Sequence, residues 1–288
     1  ADRDPVRAAA VAAECATRPY TDYRALLDEV EAVSIVVPTQ LHYEVAKAAL
    51  ERGVHVLLEK PMTTTVAEAD ALIELAQRHE RLLQIGHLER FNAAVRALEG
   101  ILTTPRFIES HRLAPFNPRG ADVNVVLDLM IHDIDIIQSL VNAPISRIDA
   151  NGVSVLTREH DIANARLTFA NGCVANVTAS RVSMKGQRKM RIFQPDAYIS
   201  IDFLHKILTV HRKGDGESGV GIPEITSEES IFESSDAILA EIKAFLAAIR
   251  DGSAPPVSGA EGRRALATAL EISACLNRFN PLLQEPNR

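Results

Sequence analysis

Two groups of residues in this chain have the types and spacing for proton and charge chemistry. The first is Glu59-Lys60-Pro61, directly after the apolar run at residues 55–58. Such a run followed at once by a carboxylate, an ammonium and a proline reads as a buried strand delivering charge to its own C-terminal end. Proline fixes φ and lacks an N–H, so the chain has to leave the sheet after Lys60. In an open α/β sheet that end is where ligands bind. The second group lies in residues 125–141, VVLDLMIHDIDIIQSLV. This is a nearly all-apolar helix on which Asp128, His132, Asp135 and Ser139 share one face. Leu127, Ile131 and Ile134 flank the stripe on one side and Leu129, Ile136 and Leu140 on the other, so the helix is buried and its polar stripe has to face a partner, a cavity or water.

Each group also has a bland reading. A Glu-Lys pair at a strand end is commonly a solvated turn. His132 could belong to a satisfied internal network with Asp128 or Asp135. A metal is disfavoured, because no cysteine or second histidine joins His132 on its face. The remaining chemistry is acid/base catalysis, in which a carboxylate orients an imidazole that titrates near the working pH.

The elements that position these groups follow from pattern. Asp4 is a helix cap before Pro5, and helices are expected at residues 5–15, 22–30 and 40–52. Another starts at the capping box Thr65-x-x-Glu68 and carries Val66, Ala69, Ile73 and Ala76 on one face. Strands alternate with them at residues 32–37, 55–59 and 82–85, which specifies a parallel sheet with right-handed crossovers. No G-x-G-x-x-G occurs within residues 1–87. Residues 1–87 therefore read as an N-terminally incomplete doubly wound (Rossmann) dinucleotide-binding sheet, lacking its first strand and glycine-rich turn.

From residue 88 to 288 the pattern changes to an α+β domain with a large, mainly antiparallel sheet. A helix is expected at 92–99, a strand at 106–113, and alternating segments at 145–156, 161–169, 173–182, 189–194, 198–203 and 207–211. Asn171-Gly172 reads as a two-residue hairpin turn, residues 215–230 as loop, and 236–250 and 258–277 as closing helices. One face of the sheet is expected to be covered and the other to make subunit contacts.

Composition bounds the partners. The 288 residues are 47% apolar and carry a net charge of -7, without a basic block to neutralise phosphates, so nucleic acid and anionic membrane are not expected partners. Cys15, Cys173 and Cys275 form no C-x-x-C pair, which points to a reducing cytoplasm and to no thiolate metal site. Neither a leader nor an apolar run of about 20 residues is seen, and a soluble protein is expected.

Glu59-Lys60-Pro61, Pro38-Thr39-x-x-His42 and Asp128-x-x-x-His132 resemble the superfamily of nicotinamide-dependent sugar dehydrogenases that includes glucose-fructose oxidoreductase and inositol dehydrogenase (Gfo/Idh/MocA). More narrowly, GHLERFN at 86–92, VVLDLMIHDID at 125–135 and DIANARLTF at 161–169 are similar to the UDP-N-acetylglucosamine 3-dehydrogenases of that superfamily. The resemblance implies hydride transfer from C3 of a UDP-linked sugar to NAD, in making a diamino sugar for lipid A. It implies His132 as general base, Lys60 as hydrogen-bond donor to the same oxygen, and Asp128 as the group that orients the imidazole or holds a sugar hydroxyl. Pro38, Thr39, His42, Glu59 and Lys60 would line the nicotinamide and ribose, and Asp2 the adenosine ribose, favouring NAD over NADP. Arg90 and Asn92 would contact sugar or phosphate, and Arg181 the diphosphate. A homo-oligomer is implied, with a small-molecule nucleotide sugar as the other partner. The alternatives are dehydrogenation of inositol or another polyol, and a catalytically silent nucleotide-sugar-binding scaffold, given that residues 1–87 lack the glycine pattern.

Overall fold

The computed structural model describes residues 1–118, 123–218, 222–233 and 236–278. They form two compact units, one of Ala1–Gly86 with Ile242–Arg263, the other of the described residues from His87 to Glu241 and from Arg264 on. The sequence reading draws a single boundary after residue 87 and leaves residues 242–263 in the second domain; the structure gathers that segment into the first unit instead. The reason is contact with a strand far away in sequence. The Ile85 amide donates to the Val257 carbonyl at 3.0 Å, Gln84 bridges to Ser258, and Gly262 lies where a Cβ would come within 2.5 Å of Ile85. Local periodicity carries no trace of such a return.

In the first unit, α1 (Pro5–Glu14) is capped by the Asp4 carboxylate, which accepts from the Val6 and Arg7 amides, and α2 (Tyr23–Leu27) is capped by Asp22. After β1 (Ala32–Ile35), a 3₁₀ turn at Thr39–Leu41 leads into α3 (His42–Glu51). Next come β2 (His55–Glu59), α4 (Val66–Arg78) and β3 (Leu83–Gly86). Both halves of the Thr65/Glu68 capping box are formed, and α4 buries Ala69, Leu72 and Ala76. The strands pair in parallel in the order β1-β2-β3, so their carboxyl ends share one edge.

The second unit begins with α5 (Ala93–Arg96), shorter than expected, and β4 (Phe107–Leu113). A π-helical turn at Val126–Met130 runs directly into α6 (Ile131–Val141). The strands β5 (Ile145–Val153), β6 (Ile162–Phe169), β7 (Val174–Ser180), β8 (Gln187–Gln194), β9 (Ala197–Asp202), β10 (Ile207–Ser218) and β11 (Ile222–Ile231) follow. The chain then enters α7 (Ala237–Asp251) and α8 (Gly259–Arg278). With β4 they make an eight-stranded sheet ordered β11-β10-β9-β8-β4-β7-β6-β5, antiparallel throughout except for the parallel pair β4–β7. One face is packed: Met130, Ile134 and Ile137 join Ala165, Leu167, Val177, Ile192 and Ile199 in the core.

Two turn expectations need correction. Residues 215–218 and 222–230 are not a loop; they lengthen β10 and β11, which pair antiparallel with a bulge between Lys213 and Glu217, while residues 219–221 lie outside the described residues. Residues 224–231 are exposed and mostly glutamate, serine and threonine, and Ile225 and Ile231 are too far apart to show apolar alternation. The β6–β7 turn spans three residues rather than two. The Phe169 amide donates the closing hydrogen bond to the Cys173 carbonyl at 2.9 Å, and Gly172 takes φ +84°, the left-handed position of a bulged hairpin.

Candidate active site

In the first unit the charged group sits where the pattern placed it. Glu59 ends β2 in register with Gly86 at the end of β3, and Lys60 follows, both half-buried. The Glu59 carboxylate accepts from the Lys60 amide at 3.2 Å, and the Lys60–Pro61 peptide is cis. Gly86 leaves this edge low, because a Cβ there would stand 3.1 Å from the Glu59 carboxyl and 3.2 Å from its Cα. Pro38 is exposed and Thr39 half-buried beyond the end of β1. His42 is in the interior, with its ring nitrogens each 2.9 Å from a carbonyl oxygen, those of Pro61 and Val37. It links the exits of β1 and β2. Asp2 precedes α1 and ends no strand; its carboxylate accepts from the Asp4 amide and lies 3.5 Å from Arg7.

A nicotinamide dinucleotide suits this donor set. Its ribose hydroxyls and carboxamide need acceptors and donors at a sheet edge, and Thr39, Glu59 and Lys60 supply both.

In the second unit, Asp128 and His132 are half-buried on a helix whose other residues fill the core. Asp128 stands within the π turn, where five-residue hydrogen bonding widens the helix, a feature concentrated at functional sites. Asn124 caps this turn: its side-chain oxygen accepts from the Val126 and Leu127 amides at 3.1 Å each, and its carbonyl accepts from the Asp128 amide at 3.1 Å. Asp135 and Ser139, expected in the same stripe, have internal roles. Asp135 takes a two-point bond from Arg90 at 2.7 and 3.1 Å, and the Ser139 hydroxyl donates to the Ile136 carbonyl.

The structure also finds partners that sequence reasoning missed. Buried Asp133 accepts from Arg112 on β4 at 2.6 and 3.3 Å and from the Ser110 hydroxyl at 2.9 Å, and Arg112 also reaches Glu89 at 2.8 Å. Burial lowers the Arg112 pKa, but the carboxylates of Asp133 and Glu89 outweigh it and raise the pKa above its ordinary value. The helix bearing His132 is thus pinned on its packed side by two arginines, through Asp133 and Asp135.

Three residues expected at the sugar or phosphate have partners within the protein. Arg90 pairs with Asp135. Asn92 is buried, caps α5 at the Ala94 amide and donates to the Phe203 carbonyl. Arg181 is buried against Asp161 at 2.8 Å. In each case an outward donor and an internal one are the same residue type, and only tertiary packing separates them. Among the described residues no group of three or more His, Cys, Asp or Glu is placed to hold a metal, and no helix is long and apolar enough to cross a membrane. A groove of about 600 Å³ lies elsewhere, on the open sheet face over Phe193, Tyr198 and His211, and none of the residues above line it.

Residues 1–87 match the NAD-binding Rossmann-fold model of the Gfo/Idh/MocA oxidoreductase family, and 94–199 match a Gfo/Idh/MocA C-terminal domain. UDP-N-acetylglucosamine 3-dehydrogenase of Acidithiobacillus ferrooxidans is 44% identical over 96% of this chain and 89% of its own length. A solved structure of that enzyme superposes with a TM-score of 0.90, covering 96% of this chain and 88% of the other. Myo-inositol 2-dehydrogenase of Thermotoga maritima is 25% identical over 86% of this chain and 79% of its own. An inositol dehydrogenase homologue with NAD+ from Azotobacter vinelandii, 18% identical, shares the fold with a TM-score of 0.81 over 97% of this chain and 87% of its own. The chain belongs to the Gfo/Idh/MocA oxidoreductase family.

Proposed function

We propose that this protein oxidises C3 of UDP-N-acetylglucosamine, with NAD as the cofactor. The observation that carries the reading is the near-full-length match to a relative of that activity. Bound NAD supplies the hydride acceptor. His132 takes the proton of the C3 hydroxyl, Asp128 fixes the imidazole, and the Lys60 ammonium donates to the sugar oxygen as negative charge develops on it. Thr39 and Glu59 hold the ribose, with Asp2 at the adenosine end. The 3-keto product is the kind of substrate an aminotransferase consumes, consistent with a cytoplasmic enzyme making a diamino sugar for lipid A.

The test is NADH formation by the full-length protein with UDP-N-acetylglucosamine, free N-acetylglucosamine and myo-inositol. Turnover confined to the UDP sugar is expected, since remote binding energy of the nucleotide is used at the reacting carbon. Comparable turnover of inositol would move the assignment to a polyol dehydrogenase. Absence of turnover with every substrate would favour a silent binding scaffold.

A second copy of the chain is the proposed occupant of the open sheet face. Phe107, Phe193, Tyr198 and His211 form a row of rings 4.9–5.8 Å apart there. The neighbouring row carries both signs of charge, with Glu109 paired to Arg191. A two-fold partner would present the same mixed row in reverse, which is the self-complementarity an isologous contact requires. Sedimentation of Tyr198→Asp is expected to show a smaller species than the unmodified protein; an unchanged mass would remove this contact.

A further inference from the structure

Arg181 and Asp161 lie outside the strand ends and the helix to which the chemistry is assigned, yet their side chains are only 4% and 0% exposed. Charges are rarely carried so deep without a structural or functional return. The Asp161 carboxylate is saturated with donors. Oδ2 accepts from the Val155, Leu156 and Thr157 amides at 2.6–2.9 Å, and Oδ1 from the Thr157 hydroxyl and Arg181 Nε at 2.8 Å each. Such a carboxylate holds a guanidinium in one orientation.

We infer that Arg181 is a positioning residue: locked by Asp161, its guanidinium fixes the entry to the π turn and thereby the placement of Asp128 and His132. The inference rests on the assignment of His132 as the base. The Arg181 fork reaches three separate segments. Nε meets Asp161 just before β6, Nη2 meets the Thr157 hydroxyl in the β5–β6 connection at 3.0 Å, and Nη1 donates to the Val123 carbonyl. Val123 is the residue before Asn124, the cap of the π turn. On the other side of Asn124, the Val125 amide donates to the carbonyl of His160, the neighbour of Asp161, at 3.0 Å. Both covalent neighbours of the cap are therefore fastened to the Asp161 corner, one of them through Arg181. A lysine offers one nitrogen position and cannot serve three diverging acceptors.

The test uses the full-length protein and Arg181→Lys, which keeps the charge opposite Asp161 but gives up the fork. Turnover of UDP-N-acetylglucosamine is expected to fall roughly ten- to a hundredfold, as for displaced catalytic groups, with KM and NAD affinity within about twofold of the original. Amide hydrogen exchange is expected to quicken at residues 124–132 and to stay unchanged in β8 and β9. Unchanged turnover together with unchanged exchange would overturn the inference. So would a raised KM at constant kcat, the pattern of a direct ligand to the diphosphate. If the unmodified protein has no turnover, the functional assignment fails by itself, and the exchange data alone decide the positioning role in the same two directions. If Arg181→Lys does not fold, Thr157→Val removes one acceptor of the fork; the same exchange pattern in milder form is expected, and none at residues 124–132 would overturn the inference.

Discussion

At the residue scale, the chemistry assigned to His132 and Lys60 separates from structural effects by its kinetic signature. His132→Ala is expected to lower kcat by about 10²–10⁴, the range for a lost general base, while the NAD dissociation constant stays unchanged. Equal losses in both, followed by fluorescence titration of NADH and steady-state rates, would make the histidine structural. The buried pair Arg112–Asp133 is the contrasting case, with side chains 3% and 2% exposed. Asp133→Ala leaves a buried guanidinium without its main carboxylate and should cost about 3–5 kcal/mol in urea unfolding. Asp133 escapes a sequence reading because its partner Arg112 lies on a strand of its own, and nothing local marks that Asp133 and Asp135, but not Asp128, will be buried against arginines.

At the scale of elements, Asn124 is the cap on which the candidate helix depends. Asn124→Ala removes the acceptor for the Val126 and Leu127 amides and should destabilise by about 1 kcal/mol, measured as a shift in urea midpoint. The elements themselves were largely legible. Asp4-Pro5 and Thr65-x-x-Glu68 are signals complete within a few residues, and each marks an observed helix start. The alternation of helix and strand before residue 87 and of apolar residues after 145 carried the fold class. The failures have a common cause in information that is not local. The π turn at Val126–Met130 has an ordinary apolar helical sequence, and β11 has a polar one because both its faces are wet. The stripe of Asp128, His132, Asp135 and Ser139 assumes a uniform helix; the wider π turn and the arginine on Asp135 divide it. Arg181 was legible as a guanidinium with work to do, and only packing shows that its acceptor is Asp161.

At the scale of the whole molecule, stability should depend on pH through groups buried in a chosen protonation state. His55 accepts from the Leu82 amide at Nδ1, joining β2 to the start of β3. Burial and, less strongly, Arg81 lower its pKa below the ordinary 6.5. Burial does the same to His160 against the pull of Glu159 and Asp161. For these imidazoles the folded state binds fewer protons than the unfolded state. Their stabilisation is complete above the unfolded value near 6.5 and is lost as pH falls toward the lowered folded values. Asp161 adds a second, more acid loss: burial raises its pKa, but the amides of the 155–157 loop and Arg181 prevail and hold it well below 3.8. Urea midpoints are therefore expected to be flat between about pH 7 and 8 and to decline below about pH 6.5; a midpoint that rises on acidification would contradict this assignment. The parallel pair β4–β7 has a consequence during synthesis. Phe107 pairs with Val174 on one side and Phe193 on the other, so β4 emerges with neither neighbour yet made. At roughly 5–20 residues per second, that strand waits several seconds on the ribosome with both ladders open. The nascent chain is most prone to capture by a chaperone, or by another copy of itself, in that interval.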